Sequence, residues 1–148
     1  MSGEFIDVLQ TAFPGEEARY FLPMKIGGGN PTVADEGAAA VLEGIKTITS
    51  SPLWDYPDGR TPFVGALGVL LDGQDRPRAI VETHRVEVIP FGSVDESFAR
   101  DYGEGDRTLG WFRRVIGGWY RASAARHGET FSDDTPIICE WFGVVKRL

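Results

Sequence analysis

The sequence predicts one α+β domain in which helices flank a small, strongly coiled β-barrel. A chain of 148 residues with 42% apolar composition is long enough for one compact core and too short for two ordinary domains. The longest strand pattern, residues 78–91, changes its buried face midway, since Ile80 and Val86 share one parity and Val81 and Ile89 the other. A strand that switches faces is typical of a small barrel. Helix caps and helical periodicity on both sides of this strand predict the α component.

The composition excludes several classes of protein. A formal net charge of −7 and a pI of about 4.8 argue against a protein that coats nucleic acid or anionic lipid through its total charge. Any contact with RNA must therefore come from a local basic surface. The one cysteine, Cys139, excludes an internal disulfide and a multi-cysteine zinc site. Because the chain has neither a basic leader nor an apolar run of about 18 residues, we expect a cytoplasmic protein that is not inserted in a membrane.

Two helices are predicted in the first third of the chain. An amphipathic pattern covers residues 5–13. The GGGN run at residues 27–30 is interpreted as a linker, although three glycines would also let the backbone approach a ligand closely. The next helix is expected to begin near Asn30 or Thr32, either of which can cap it. It is expected to stop at Gly44, because glycine suits the left-handed stop position.

Strands and further helices follow. Ser93 and Glu96 form a capping-box pattern that predicts a helix through about Asp101. Helical periodicity then predicts a long helix over residues 108–127. Alternating or continuous apolar patterns predict strands at residues 66–71, 78–91 and 137–145.

A cluster of cationic, hydroxyl and aromatic side chains follows Gly44. Its ammonium and hydroxyl groups can hold phosphate or carbonyl oxygens, and its aromatic faces can stack on a base. Strict alternation along a strand would place Lys46 and Thr49 on opposite faces, so they converge only if Lys46 belongs to the turn or a bulge interrupts the pleat. The cluster, which predicts an RNA-binding site, consists of Lys46, Thr49, Ser50, Ser51, Trp54 and Tyr56.

The long helix carries a basic stripe preceded by an acidic loop. Arg107, Arg114 and Arg121 recur every seven residues, which predicts three guanidinium groups along one stripe of the surface. This stripe is a candidate phosphate-binding surface, although arginines on a solvated helix face are also common. Glu104 and Asp106, one residue apart on a glycine-spaced loop, could hold a weakly bound Mg²⁺ ion.

Four separated segments occur together in the chain: GIKTITSS at 44–51, RAIVETHRVEVIPF at 78–91, FARDYGEGDRTLGWFRR at 98–114 and FSDDTPIICEWFGVV at 131–145. In this order and spacing the chain resembles the larger bacterial branch of the ASCH domain family over about residues 30–147. Residues 1–29 would then be an N-terminal extension packed on an ASCH domain at residues 30–148. The resemblance implies a barrel related to the PUA fold, with a cleft between barrel and helices for single-stranded RNA or a nucleoside.

The same resemblance implies candidate catalytic residues. Short members of the family that hydrolyse N4-acylated cytidine use a lysine, a threonine three positions later and a downstream glutamate, which correspond here to Lys46, Thr49 and Glu104. Thr49 would attack, Lys46 would serve as base, and Glu104 would orient the lysine or protonate the leaving amine. Larger members often carry a histidine where this chain has Ile116, so a histidine-dependent mechanism does not transfer.

Three functions remain open on the sequence alone. The longer chain and the arginine stripe favour metal-dependent cleavage of single-stranded RNA, with Mg²⁺ as the candidate metal and no organic cofactor. In that reaction Lys46, Arg107 and Arg114 would bind phosphates while Trp54 or Tyr56 stacks on a base. The alternatives are an amidohydrolase for N4-acylated cytidine nucleosides and an RNA-binding module without activity. The sequence leaves the oligomeric state open.

Overall fold

A computed structural model describes residues 3–148. Its four strands form a single antiparallel sheet with the order β1-β4-β3-β2, so β1 and β2 are the two edges. The strands are β1 (Ile48–Pro52), β2 (Leu67–Leu71), β3 (Pro77–Pro90) and β4 (Pro136–Arg147). The helices are α1 (Gly3–Ala12), α2 (Pro31–Leu42), α3 (Glu96–Tyr102), α4 (Leu109–Trp111) and α5 (Gly117–Arg126), with a π-helical segment at Phe112–Ile116 joining the last two.

The sheet curls into a half-barrel because its two longest strands, β3 and β4, are both bulged. The pairing of β3 with β4 shifts register between Ile80 and Val81 and again between Thr83 and Arg85. Each bulge adds a residue to one strand only, which bends it and changes the face that its side chains bury. The predicted α+β class with a small curled sheet flanked by helices is confirmed.

Three apolar clusters hold helices against this sheet. Under α3 and the long helix, which we define as α4, the π-helical segment and α5, the core includes Ile48, Phe98, Phe112 and Tyr120. A second cluster covers β2 on the α1 side, and a third lies under α2. The helices are therefore fixed on both sides of the sheet, and the loops between them are held in defined positions.

One predicted helix start is wrong and another is confirmed. The α3 helix begins at Glu96 and is capped by Asp95, whose carboxylate accepts from the backbone N–H of Phe98, so Ser93 does not form the expected capping box. Ser93 instead ends a short 3₁₀ helix. Asn30 caps α2 as expected, since its side-chain oxygen accepts from the N–H groups of Thr32 and Val33.

The two edges of the sheet leave a gap between them. Isolated parallel bridges join Tyr20 to Leu67 and Met24 to Leu70, so the segment at residues 20–24 extends the sheet beyond β2. The opposite edge is β1. A barrel would close at this point, and here the gap becomes a cleft. Within residues 3–148, no helix has the length and apolar character needed to cross a membrane.

Candidate functional site

The cleft has a volume of about 840 Å³ and lies where the two sheet edges face each other. Residues 21–28 and the first half of α2 form one wall, and the long helix forms the other. The polar residues of β1, the loop that follows α3 and Glu140 complete the lining. The polar and aromatic side chains of the lining include Thr49, Ser50, Ser51, Tyr56, Tyr102, Glu104, Trp111, Trp119 and Glu140.

Lys46 belongs to the turn between α2 and β1, as convergence with Thr49 requires. Gly44 is left-handed with φ 77°, and the chain then turns so that the Lys46 N–H donates to Ala40 O at 3.1 Å. The next N–H, that of Thr47, donates to Asp101 O at the end of α3. These contacts fix the turn between two helix ends, and the Lys46 side chain, 0% exposed, lies beneath the cleft.

The Lys46 ammonium donates to two backbone carbonyls and forms an ion pair with Glu104. Its Nζ lies 2.9 Å from Glu104 Oε2, 2.6 Å from Ile48 O and 3.0 Å from Tyr102 O. It also lies 3.5 Å from the centroid of the Tyr102 ring, a cation–π contact. Burial lowers the pKa of Lys46, and the neighbouring Glu104 carboxylate opposes that shift. Two carbonyl acceptors and one carboxylate all favour the charged form of Lys46, so the geometry supports an orienting role for it over that of a base.

Glu104 is held in place by the loop that follows α3. Gly103 is left-handed with φ 70°, and a Cβ on it would lie 2.5 Å from Lys46 Cα. Only a glycine lets the loop approach the Lys46 backbone so closely. The Glu104 side chain, 13% exposed, then reaches Lys46 from the cleft.

The two carboxylates predicted to hold a metal have different partners. Asp106 accepts from the backbone N–H and the hydroxyl of Thr108, and this hydroxyl in turn caps α4. These hydrogen bonds lower the pKa of Asp106. Glu104 instead pairs with Lys46. Within residues 3–148, no three His, Cys, Asp or Glu side chains come close enough to form a metal site.

Hydroxyl groups on β1 join the cleft to the helices. The Ser50 hydroxyl lies 2.6 Å from Tyr120 Oη and 3.3 Å from Tyr102 Oη. Burial is the main cause that raises the pKa of both phenols, so they are neutral hydrogen-bonding groups. Tyr56 donates to Ser51 Oγ at 3.0 Å, and burial raises the pKa of Tyr56 to about 12. Thr49 lines the cleft between these groups.

Other predicted residues lie away from this centre. Trp54 donates to Ser123 Oγ at 2.9 Å and is not part of the cleft lining. Arg107 donates through Nε to Arg100 O. Arg121 lies with its guanidinium 5.6 Å from the Phe131 ring centroid.

The arginine stripe therefore does not face the hydroxyl cluster. Arg107, Arg114 and Arg121 are all exposed, and among the described residues no arginine lines the cleft. Three other arginines, Arg76, Arg78 and Arg147, line a separate depression of about 430 Å³ beside α2. Two of them pair with buried Asp72 and the third donates to Leu42 O.

The sequence did not identify three residues of the cleft as functional. Trp111 and Trp119 were expected only as parts of a helix, but they flank the π-helical segment and line the cleft. A π-helical turn adds a residue to the helical repeat and so changes which side chains face one side. Gly28, with φ 58°, lies against Trp119, where a Cβ would be 2.6 Å from Nε1. The third is Glu140, the one acidic residue in the apolar run IICEWF. An acid inside such an apolar run is the sequence signal that could have marked it as functional.

Together these features define a curled-sheet α+β domain with a ligand-sized cleft at its open edge. The ASCH domain family model matches residues 25–146, so the chain belongs to the ASCH domain family. ASCH domains are PUA-like domains with a proposed role in RNA binding.

Solved structures share this fold. An ASCH domain from Lactobacillus crispatus is similar with a TM-score of 0.84 and 24% identity, covering 97% of this chain and 93% of that one. A protein from Enterococcus faecalis is similar with a TM-score of 0.81 and 28% identity, covering 96% of this chain and 88% of that one. A comparison with curated protein sequences gives no match.

Proposed function

We propose that this protein is a hydrolase that binds a nucleoside in the cleft and cleaves an acyl amide on its base, as in N4-acylated cytidine. The observation that carries the proposal is the position of Thr49 in a small cleft beside the buried Lys46–Glu104 pair. The hydroxyl can act as nucleophile, the carboxylate can accept its proton, and the fixed cation orients the carboxylate.

The size and lining of the cleft support a small ligand with a flat ring. A volume of about 840 Å³ lies within the usual range for small-molecule sites. Trp111 and Trp119 offer aromatic faces on which a base can stack. A long single strand would need cations along its path to neutralise phosphates, and among the described residues the only lysine or arginine in the lining is Lys25.

In the proposed reaction the three catalytic candidates take different steps. Thr49 Oγ1 attacks the acyl carbon and gives its proton to Glu104, which the ion pair with Lys46 holds in place. As the bond from the acyl carbon to the nitrogen breaks, Glu104 returns the proton to the leaving amine. Water then hydrolyses the acyl–threonine ester and restores the Thr49 hydroxyl. Lys46 remains an ammonium throughout and orients Glu104.

Release of cytidine from N4-acetylcytidine tests this proposal. Thr49→Val removes the attacking oxygen at nearly constant volume, and we expect the turnover rate to fall about 1,000-fold or more. Thr61→Val is the matched control, because Thr61 is exposed and does not line the cleft. Failure of the protein to release cytidine, or an unchanged rate in Thr49→Val, would contradict the proposal.

Binding of single-stranded RNA is the second candidate function, and the exposed arginines of the long helix favour it. Metal-dependent cleavage has less support, because Glu104 and Asp106 have separate partners. Labelled single-stranded RNA incubated with Mg²⁺ or with EDTA separates binding from cleavage. Fragments that need Mg²⁺ and disappear in Glu104→Gln would favour the ribonuclease, whereas bound but intact RNA would favour a binding surface alone.

A further inference from the structure

Glu140 is a buried carboxyl group that the proposed reaction does not use. The residue is 7% exposed, yet it contributes to the lining of the cleft. It lies on β4, between β1 and β3, within the run Ile137–Phe142 whose other members are mainly apolar. An acid in such a position costs stability unless it has a partner or a use.

The carboxyl group of Glu140 has one hydrogen bond and one oxygen to spare. Its Oε1 accepts from Thr83 Oγ1 at 3.2 Å. In the described chain no buried side-chain nitrogen or oxygen lacks a hydrogen-bond partner, so Oε2, which has none, is open to the cleft. None of the ion pairs formed within residues 3–148 includes Glu140. Burial raises the pKa of Glu140, as expected for a carboxyl without a cation.

The position of Glu140 in the sheet places it beside the candidate nucleophile. Thr49 on β1 is its direct partner across the β1–β4 pairing. Directly opposed residues project to the same side, with Cβ atoms about 4.5–5.5 Å apart. The nearby hydroxyl of Tyr56 already donates to Ser51, so it leaves Oε2 of Glu140 free. A ligand whose acyl carbon reaches Thr49 therefore places its neighbouring atoms close to Glu140.

We propose that Glu140 accepts a hydrogen bond from an N–H group on the edge of the bound base and so selects amino-pyrimidines over oxo-pyrimidines. This inference rests on the proposed function, because it takes a pyrimidine nucleoside as the ligand. An ionised carboxylate only accepts hydrogen bonds. The exocyclic amine of cytosine supplies a donor. The carbonyl oxygen at that position in uracil has only lone pairs, which would repel those of the Glu140 carboxylate oxygen. Leaving a desolvated polar group without its partner is a strong source of discrimination.

Calorimetric titration with cytidine and with uridine at pH 8 tests the inference without requiring hydrolysis. We expect the wild-type protein to bind cytidine at least about tenfold more tightly than uridine, the effect of one well-placed hydrogen bond. Glu140→Gln keeps the shape but offers both a donor and an acceptor, so the preference should fall below about threefold. Glu36→Gln is the control, because exposed Glu36 also lines the cleft and its substitution removes the same charge. Thermal unfolding confirms that each variant is folded.

The outcomes separate this inference from the proposed hydrolase. A preference that survives in Glu140→Gln, or one lost equally in Glu36→Gln, overturns the role of Glu140 and leaves the hydrolase standing. Cytidine selectivity that depends on Glu140 in a protein that hydrolyses no acylated cytidine supports the inference and overturns the hydrolase. Absence of binding of either nucleoside to the wild-type protein overturns the inference.

Discussion

Lys46 and the arginines of the long helix show two ways in which this acidic protein places positive charge. Lys46 is 0% exposed, donates to two carbonyl oxygens, pairs with Glu104 and touches an aromatic ring. Arg107, Arg114 and Arg121 are exposed, and no carboxylate of the described chain lies within ion-pair distance of any of them. The inner cation is fixed and contributes to the site by orienting its neighbours. The outer cations are exposed and can meet a polyanion only at the surface.

The comparison indicates that the function of a cationic side chain depends more on its surroundings in the fold than on its place in a sequence pattern. Removing a buried cation leaves its acceptors without partners in a low-dielectric interior, which costs far more than the loss of one ion pair in water. Substitutions in the two regions should therefore differ in stability, pH response and salt dependence.

The largest effect is expected from Lys46→Met, which removes the charge and keeps most of the side-chain volume. Glu104 would lose its ion-pair partner and two backbone carbonyls their donor, so we expect the free energy of unfolding to fall by about 3–5 kcal/mol. Urea-induced unfolding of the variant and the wild-type protein measures this loss of stability. Arg114→Met is the control and should change stability by less than about 0.5 kcal/mol. Equal losses in both variants would show that the comparison between the two regions is wrong.

Gly103→Ala should have the next largest effect, because two costs combine at this position. The left-handed φ of 70° disfavours alanine, and the new Cβ would lie 2.5 Å from Lys46 Cα. We expect a loss of about 2 kcal/mol or more in the free energy of unfolding. Gly59→Ala is a matched control, since Gly59 has φ 76° and free space around it and would show the backbone cost alone. A loss no greater than that of Gly59→Ala would mean that the loop moves away without cost.

Glu140→Gln should change the pH dependence of stability. Burial raises the pKa of Glu140, so the folded protein holds this proton more tightly than the unfolded chain does. The resulting stabilisation is full below the usual carboxyl pKa and is lost as pH rises through the folded-state value. The variant should therefore gain stability relative to wild type as pH increases from about 4 to about 8. Thermal unfolding across this range measures the gain, and exposed Glu43→Gln should show none.

The smallest effect on stability is expected from Arg114→Gln and Arg121→Gln, at less than about 0.5 kcal/mol each. If the outer surface of the long helix contacts phosphates, these substitutions should instead weaken RNA binding. Each variant would then reduce the slope of log affinity against log salt concentration by roughly one unit. An unchanged slope, measured by titrating single-stranded RNA at several salt concentrations, would remove these arginines from the RNA-binding surface. Cytidine release should be unchanged in both variants.

Local signals in the sequence were sufficient for most of the fold. Asn30 and Gly44 mark the two ends of α2, and the change of parity between Val81 and Val86 anticipated the bulge of β3 at His84. The capping box at Ser93 failed because Asp95 offers a carboxylate at the adjoining cap position. Such competition between neighbouring caps is decided by how the chain enters the helix.

The site was less predictable because it depends on contacts between distant segments. Lys46 and Glu104 come together because the chain turns at Gly44 and at Gly103, both of which have left-handed backbone angles. The two glycines can be read from the sequence, but the contact between the turns cannot. The sequence could not show whether the arginine stripe faces the cleft. Spacing along a helix shows which side chains share one face, but it does not show which part of the protein that face packs against. Glu140 was missed because its role depends on which strand lies beside it.

Because of the π-helical segment Phe112–Ile116, the shape of the cleft depends on the exact number of residues in the long helix. Deleting one residue there would restore an ordinary α-helical repeat, and the residues before the deletion would rotate by about 100° relative to those after it. Trp111 and Trp119 would no longer stand over the same opening. A one-residue deletion at the exposed Val115, harmless by composition, would thus disassemble one wall of the cleft.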